Sequence, residues 1–180
     1  LMADAAAAAG ASAPIVLPSD HEVQLNGIRF HYLDWGNAEA PLLVLLHGSR
    51  DHARSWDWTA RALRHEWHVV APDLRGHGDS DWSPDGAYLT AYHALDLSGL
   101  IESLGARQLR FVAHSFGGGV AARYAVHAAV EQGGQLRLRI DGLATFPHYH
   151  HAYRLLQGMT SVRQVQLVLV DRDTFFFDVV

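Results

Sequence analysis

The sequence predicts one α/β domain: an open, mostly parallel sheet with helices packed on it and a β-hairpin at its N-terminal end. Three observations predict it. Short apolar runs of strand length recur along the chain, segments with helical spacing lie between them, and one run ends in a glycine-rich turn that leads directly into a helix pattern. At 180 residues and 49% hydrophobic content the chain is long enough for one sizeable core and short for two.

The elements follow in order. Residues 1–20, which open "LMADAAAAAGASAP", are expected to be a flexible alanine-rich tail ahead of a single domain over 21–180. They lack the basic start and large apolar run of a signal peptide, and Leu1 ahead of Met2 suggests a fragment. In "HEVQLNGIRFHYLDWG" two alternating segments flank Asn26-Gly27, a pair suited to the positive φ angles of a two-residue hairpin turn, so residues 22–34 read as a hairpin. Leu42–Leu46 and the "HVVAPD" run from His68 are continuous apolar stretches, as in strands buried on both faces. Ser55 is placed to cap a helix running to about Glu66, and "LRGHGDSDWSPDG" reads as a long loop.

From Thr90 to Leu104, Tyr92, Leu97, Leu100, Ile101 and Leu104 fall near helical spacing, with Gly105 at the C-terminal cap. "LRFVA" is the next strand, and Ala121, Tyr124, Ala125 and Ala128 mark one face of the helix after it. "LRLRIDGL" and "VQLVLVD" read as further strands, with a short helix at "HAYRLLQGM" between them.

Composition narrows the partners. A net charge of −5, with 14 scattered Lys and Arg residues, argues against nucleic acid. No cysteine is present, so disulfides, thiolate metal sites and a cysteine nucleophile are excluded. No apolar run approaches the roughly 20 residues of a membrane span. The expectation is a cytoplasmic protein with a small-molecule substrate, no membrane partner, no cofactor and no metal.

The segment "RFVAHSFGGGVA" carries the chemistry. A strand running straight into a helix needs a tight turn, and a residue at its apex is held in a strained conformation above the sheet. Ala113 and Gly117 flank Ser115 at minus two and plus two, with His114 before it, which fits the G-x-S-x-G elbow with alanine for the first glycine. The helix start would favour a negative oxygen formed beside Ser115, as in acyl transfer. The competing reading is a glycine-rich turn that binds a phosphate or simply packs tightly.

The ordered segments "LLHGSRDHARSW", "APDLRGHGDSDW" and "FVAHSFGGGVAARYA" together resemble the α/β-hydrolase family, over roughly residues 21 to 130. The resemblance implies Ser115 as nucleophile and an oxyanion hole built from the backbone N–H groups of Ser49 and Phe116. It places Asp79 and Ser80 near the site without a chemical role. It gives none to His77 either, because the family's histidine follows the nucleophile in the chain. Arg50, Asp51 and His52 read as structural or mouth-lining groups. A serine apex makes the aspartate-nucleophile members, haloalkane dehalogenases and epoxide hydrolases, poor models. Ester, lactone, thioester, amide or C–C bond hydrolysis through an acyl-enzyme is the expectation.

The pattern breaks downstream. Two acids compete: Asp141 after "RI", and Asp173 in "LVLVDRDTFF", where Val170 stands in the glycine position of the family's acid turn. "DRDTFFFDVV" also reads as an altered closing helix, which would leave Asp173 without a catalytic part. No catalytic histidine is identified. His127 lies in the elbow helix, and His148, His150 and His151 in "FPHYHH" occupy the place of a cap, where a surface loop is the plainer reading and a metal site is not expected. The chain therefore reads as truncated or altered after about residue 131, without a recognisable cap, eighth strand or final helix, and an exposed sheet edge would favour a homodimer. Three functions remain: a serine hydrolase, a non-catalytic homologue that keeps the fold, and a perhydrolase or haloperoxidase-like enzyme using the same triad.

Overall fold

The computed structural model describes residues 16–106, 109–131, 136–140, 165–171 and 174–179. The expected hairpin forms from β1 (Ser19–Leu25) and β2 (Ile28–Asp34). Asn26 and Gly27 both take positive φ, 48° and 80°, the geometry that lets a two-residue turn match the strands' right-handed twist. Strands β3 (Leu42–Leu46) and β4 (His68–Pro72) are buried along their whole length, and β5 (Leu109–Ala113) completes a five-stranded sheet in the order β1-β2-β4-β3-β5. β3 runs parallel to β4 and to β5, while β2 pairs antiparallel with both β1 and β4.

Alternation along the strands divides the core. On one face Ile28, Phe30, Val44, Leu46, Val70 and Leu74 pack with Leu97, Leu100 and Ile101 of α2 (Thr90–Ser103) and Val120 of α3 (Phe116–Glu131). On the other, Leu33, Trp35, Leu43, Leu45 and Val69 meet Ala53 and Ala60, the latter on α1 (Asp57–Leu63). Burying a large side chain in such a layer contributes about 1.5–3 kcal/mol. α2 stops where expected, with Gly105 at φ 62° just past its end.

Ser55 does not cap a helix. It lies inside a 3₁₀ turn (Ala53–Trp56), the residue ahead of α1 is Trp56, and the Ser55 hydroxyl instead donates to Asp51. Because the 3₁₀ turn precedes α1, Ser55 is not at the cap position, and its hydroxyl donates to the nearby carboxylate instead of accepting from the N–H groups of α1.

β6 (Leu136–Ile140) and β7 (Val165–Asp171) are strands as the apolar runs predict, but each pairs antiparallel with β8 (Thr174–Val179) in a separate sheet of order β6-β8-β7. A closing helix over residues 174–179 is thereby overturned, since Thr174 and three consecutive phenylalanines favour a pleated strand. β8 does not extend the five-stranded sheet. The tail over 1–15, the expected helix at "HAYRLLQGM", and Asp141, His148, His150, His151 and Asp173 lie outside the described residues. Among the described residues no helix is long and apolar enough to cross a membrane.

Polar fastenings hold the long loop after β4 against the hairpin and α2. Arg75 donates from Nε and Nη2 to the two oxygens of Asp96, at 2.6 and 2.8 Å, and the Asn26 amide adds a bond to Asp96 at 2.8 Å. Asp96 is fully buried and Arg75 nearly so. Replacing Asp96 by Asn leaves the Arg75 cation without its counter-charge, and is expected to lower the urea unfolding free energy by about 3–5 kcal/mol. Glu22→Gln, which removes one exposed partner of Arg29, should leave the unfolding free energy nearly unchanged in the same measurement, because solvent screens the pair.

Candidate active site

The elbow is built from β3 outward. β5 pairs with β3 in register from Leu42 opposite Leu109 to Leu46 opposite Ala113, and the His114 N–H donates to the Leu46 carbonyl at 3.0 Å. The chain then turns: Ser115 sits at φ 50°, exposed, and α3 begins at the next residue. A left-handed conformation costs an L-residue about 1–2 kcal/mol.

Only one residue of the glycine run is sterically compelled. A Cβ on Gly117 would lie 2.6 Å from the His47 carbonyl oxygen and 2.7 Å from that of Leu46, both backbone, whereas Gly118 and Gly119 face open space. The first turn of α3 rests directly on the end of β3. Ala113, at the strand end and partly buried, needs no such absence of a side chain.

The loop leaving β3 comes to the same place. A Cβ on Gly48 would meet His114 Nδ1 at 2.8 Å and Ser115 Cβ at 3.4 Å. His47, fully buried, accepts the Leu74 N–H at Nε2 (3.0 Å) and therefore carries its proton on Nδ1, which donates to the Gly48 carbonyl at 2.7 Å. Burial holds the His47 pKa below the ordinary histidine value, consistent with this neutral tautomer. Because the peptide is trans, turning the Gly48 carbonyl toward His47 turns the Ser49 N–H the opposite way. Among the described residues neither the Ser49 nor the Phe116 N–H meets a protein acceptor, while those of Gly117 and Gly118 bond back to His114 and Ser115. Two uncommitted donors thus lie next to the serine in the chain, on Phe116, and next to the glycine that touches it, on Ser49.

The loop after β4 supports this arrangement. Buried Asp73 accepts the N–H groups of Ala53 (2.7 Å) and Asp79 (3.0 Å) and pairs with His31 Nδ1 at 2.8 Å, while the Ser80 hydroxyl donates to the Asp73 carbonyl. His31, Asp73 and Asp79 form the group with metal-ligand chemistry among the described residues. Both Asp73 oxygens are already committed to fastening β2, the loop and the 3₁₀ turn. His77 donates from Nδ1 to the Arg75 carbonyl and lies 5.1 Å from His47, ring to ring, a structural position.

Ser115, His114, Ala113, Gly117, Ser49 and Phe116 are therefore brought together, whereas the proposed acids Asp141 and Asp173 lie outside the described residues. His127 is on α3, partly buried. One residue escaped the sequence reading. His93 on α2 is 2% exposed, packs edge-on to Phe116 at 4.9 Å, and has no partner at Nδ1. Its signal was present, four residues before Leu97 on the apolar face of the helix. Burial pushes its pKa down to about 4.

A mixed open sheet whose β5 turns through a left-handed serine into a helix defines the α/β-hydrolase class of fold. The family model described as the alpha/beta hydrolase family matches residues 43–178, and the chain belongs to this family. Among curated relatives, mouse epoxide hydrolase 4 is 36% identical over 102 residues, 56% of this chain and 28% of its own length. Epoxide hydrolase A of Mycobacterium tuberculosis is 36% identical over 103 residues, 56% of this chain and 32% of its own. Among solved structures, a bacterial virulence factor described as a membrane phospholipase A shares 34% identity at a TM-score of 0.59, covering 62% of this chain and 36% of that one. An epoxide hydrolase from Vigna radiata shares 31% at 0.58, covering 63% and 37%. The chain thus spans between a quarter and two fifths of the relatives it matches.

Two outcomes test the elbow's construction. Gly117→Ala forces a methyl group onto two backbone carbonyls and should destabilise the protein by about 1–3 kcal/mol, while Ser115→Gly removes the left-handed penalty and should stabilise it by about 1 kcal/mol, both read by urea denaturation. His93 provides a pH test. Below its unfolded value of 6.5 the unfolded chain takes up a proton that the folded state refuses until about pH 4, so stability falls as pH drops through that window. His93→Leu should flatten this dependence and raise the melting temperature at neutral pH, because an unpaired buried nitrogen is removed.

Proposed function

We propose that this chain carries the nucleophile and oxyanion hole of a serine hydrolase that attacks a small ester, lactone or related carbonyl substrate and forms an acyl-enzyme at Ser115. The observation that carries the reading is the strained, exposed serine with the uncommitted N–H of Phe116 beside it and that of Ser49 on the adjoining Gly48 loop. As the Ser115 oxygen adds to the carbonyl carbon, the carbonyl oxygen gains negative charge, and donors already in place stabilise it without reorganisation. The positive end of α3 adds to this effect. An electrophilic epoxide suits the site less well, although several relatives are named epoxide hydrolases. A carboxylate that opens an epoxide leaves an ester that water cleaves, whereas a serine would leave an ether that water does not.

A second reading, a homologue that keeps the fold without turnover, is favoured by one observation. The Ser115 hydroxyl meets no imidazole within hydrogen-bond distance among the described residues, and the nearby His47 has both ring nitrogens engaged. Without a base, only the residual rate enhancement from binding and the oxyanion hole remains.

A fluorophosphonate separates these readings. Intact mass and peptide mapping should find one adduct, on Ser115, absent from Ser115→Ala, and the wild type should hydrolyse p-nitrophenyl acetate in a Ser115-dependent manner. Equal labelling of the two proteins, or of neither, overturns the nucleophile. Labelling without Ser115-dependent turnover favours the second reading.

A further inference from the structure

Arg50 follows Ser49 on the loop that leaves β3, and its backbone sits at φ 60°. A side chain with a Cβ is strained there, and glycine would not be. Strain of this kind at the edge of a site points to a side chain retained for a ligand rather than for the fold.

The surroundings of Arg50 agree. It is exposed and has no ion pair, hydrogen bond or ring contact among the described residues; Arg123, on α3, shares that lack but is half-buried and lies away from this loop. Its acidic neighbour Asp51 accepts from the Ser55 hydroxyl and from the His52 N–H (2.9 Å), both at Oδ1, stays ionised, and makes no ion pair with Arg50. Of the loop's exposed side chains, Ser49, Arg50 and His52, none is acidic, and the Asp51 carboxylate is half-buried. The loop itself touches the elbow, since a Cβ on Gly48 would lie 3.4 Å from Ser115 Cβ.

We infer that Arg50 is a substrate-recognition residue that binds an anionic group, a carboxylate or a phosphate, carried by the ester presented to Ser115. The inference rests on the reading of Ser115 as the point of reaction and names a substrate class for it. A guanidinium suits the task because its planar fork donates two parallel hydrogen bonds to either anion and keeps its charge at every physiological pH.

The test is a binding measurement on the full chain, made with and without Ser115→Ala so that heat of ester turnover is separated from heat of binding. Monomethyl glutarate, its neutral counterpart methyl glutaramate, and 2-acetoxyethyl phosphate are titrated calorimetrically at low salt. The anionic esters should bind at least about tenfold more tightly than the amide. That preference should vanish in Arg50→Gln and Arg50→Gly, persist in part in Arg50→Lys, and survive unchanged in Arg123→Gln. The ratio between the two anions assigns carboxylate or phosphate. Arg50→Gly should also melt higher than the wild type, so loss of binding cannot be attributed to unfolding. Equal affinity for charged and neutral esters, no binding by any of the three, or a preference that survives Arg50→Gln overturns the assignment. Ser115→Ala should keep the preference, so failure of the nucleophile and failure of the anion contact are separately visible.

Discussion

The candidate site depends on a contact between two backbones, made where the first turn of α3 rests on the carbonyl oxygens of Leu46 and His47 at the end of β3. Only a residue without a Cβ permits that approach, and Gly117 provides it. The approach leaves too little room for a gradual change of direction between β5 and α3. The chain reverses within one residue, and Ser115 takes the left-handed conformation that lifts it to an exposed apex. Because β3 also feeds the Gly48 loop, the same contact brings the second strand-end loop to the serine. The placement of Ser115, Phe116 and the Gly48 loop follows from how closely α3 approaches β3.

A set of buried polar groups holds that geometry from behind. Asp73 joins the 3₁₀ turn, the loop after β4 and His31 of β2, while Arg75 and Asp96 join the same loop to α2 and the hairpin turn. Buried ion pairs of this kind are weak sources of net stability, because desolvation offsets much of the attraction. Their geometric demands are strict, however, and a loop satisfied in only one position is a rigid support for the His47 and Gly48 backbone. His93 is the exception in this layer, a buried imidazole against Phe116 with one nitrogen unpaired.

Much of this was legible from residue order. The Asn26-Gly27 turn, the apolar strands, the helix ending at Gly105 and the elbow serine all carry local signatures, since backbone preference or period decides them within a few residues. Ser55 is not a cap because a 3₁₀ turn precedes the helix and moves its start to Asp57, a local choice that propensity does not rank. The strands at 136–140 and 165–171 were legible as strands, but their partner was not, because β8 had been open to a helical reading. His93 lies on an apolar helix face in plain view, yet its burial against Phe116 depends on how α2 and α3 meet.

Residue order alone sufficed for the fold family and for the identity of the apex residue, because both rest on short patterns whose meaning is local: apolar runs, turn glycines, and a serine between small neighbours. Which glycine is indispensable and which N–H groups stay uncommitted were decided only when distant strands packed. These properties depend on distances between segments tens of residues apart. Gly117 differs from Gly118 and Gly119 not in sequence character but in having the carbonyls of β3 directly beneath it.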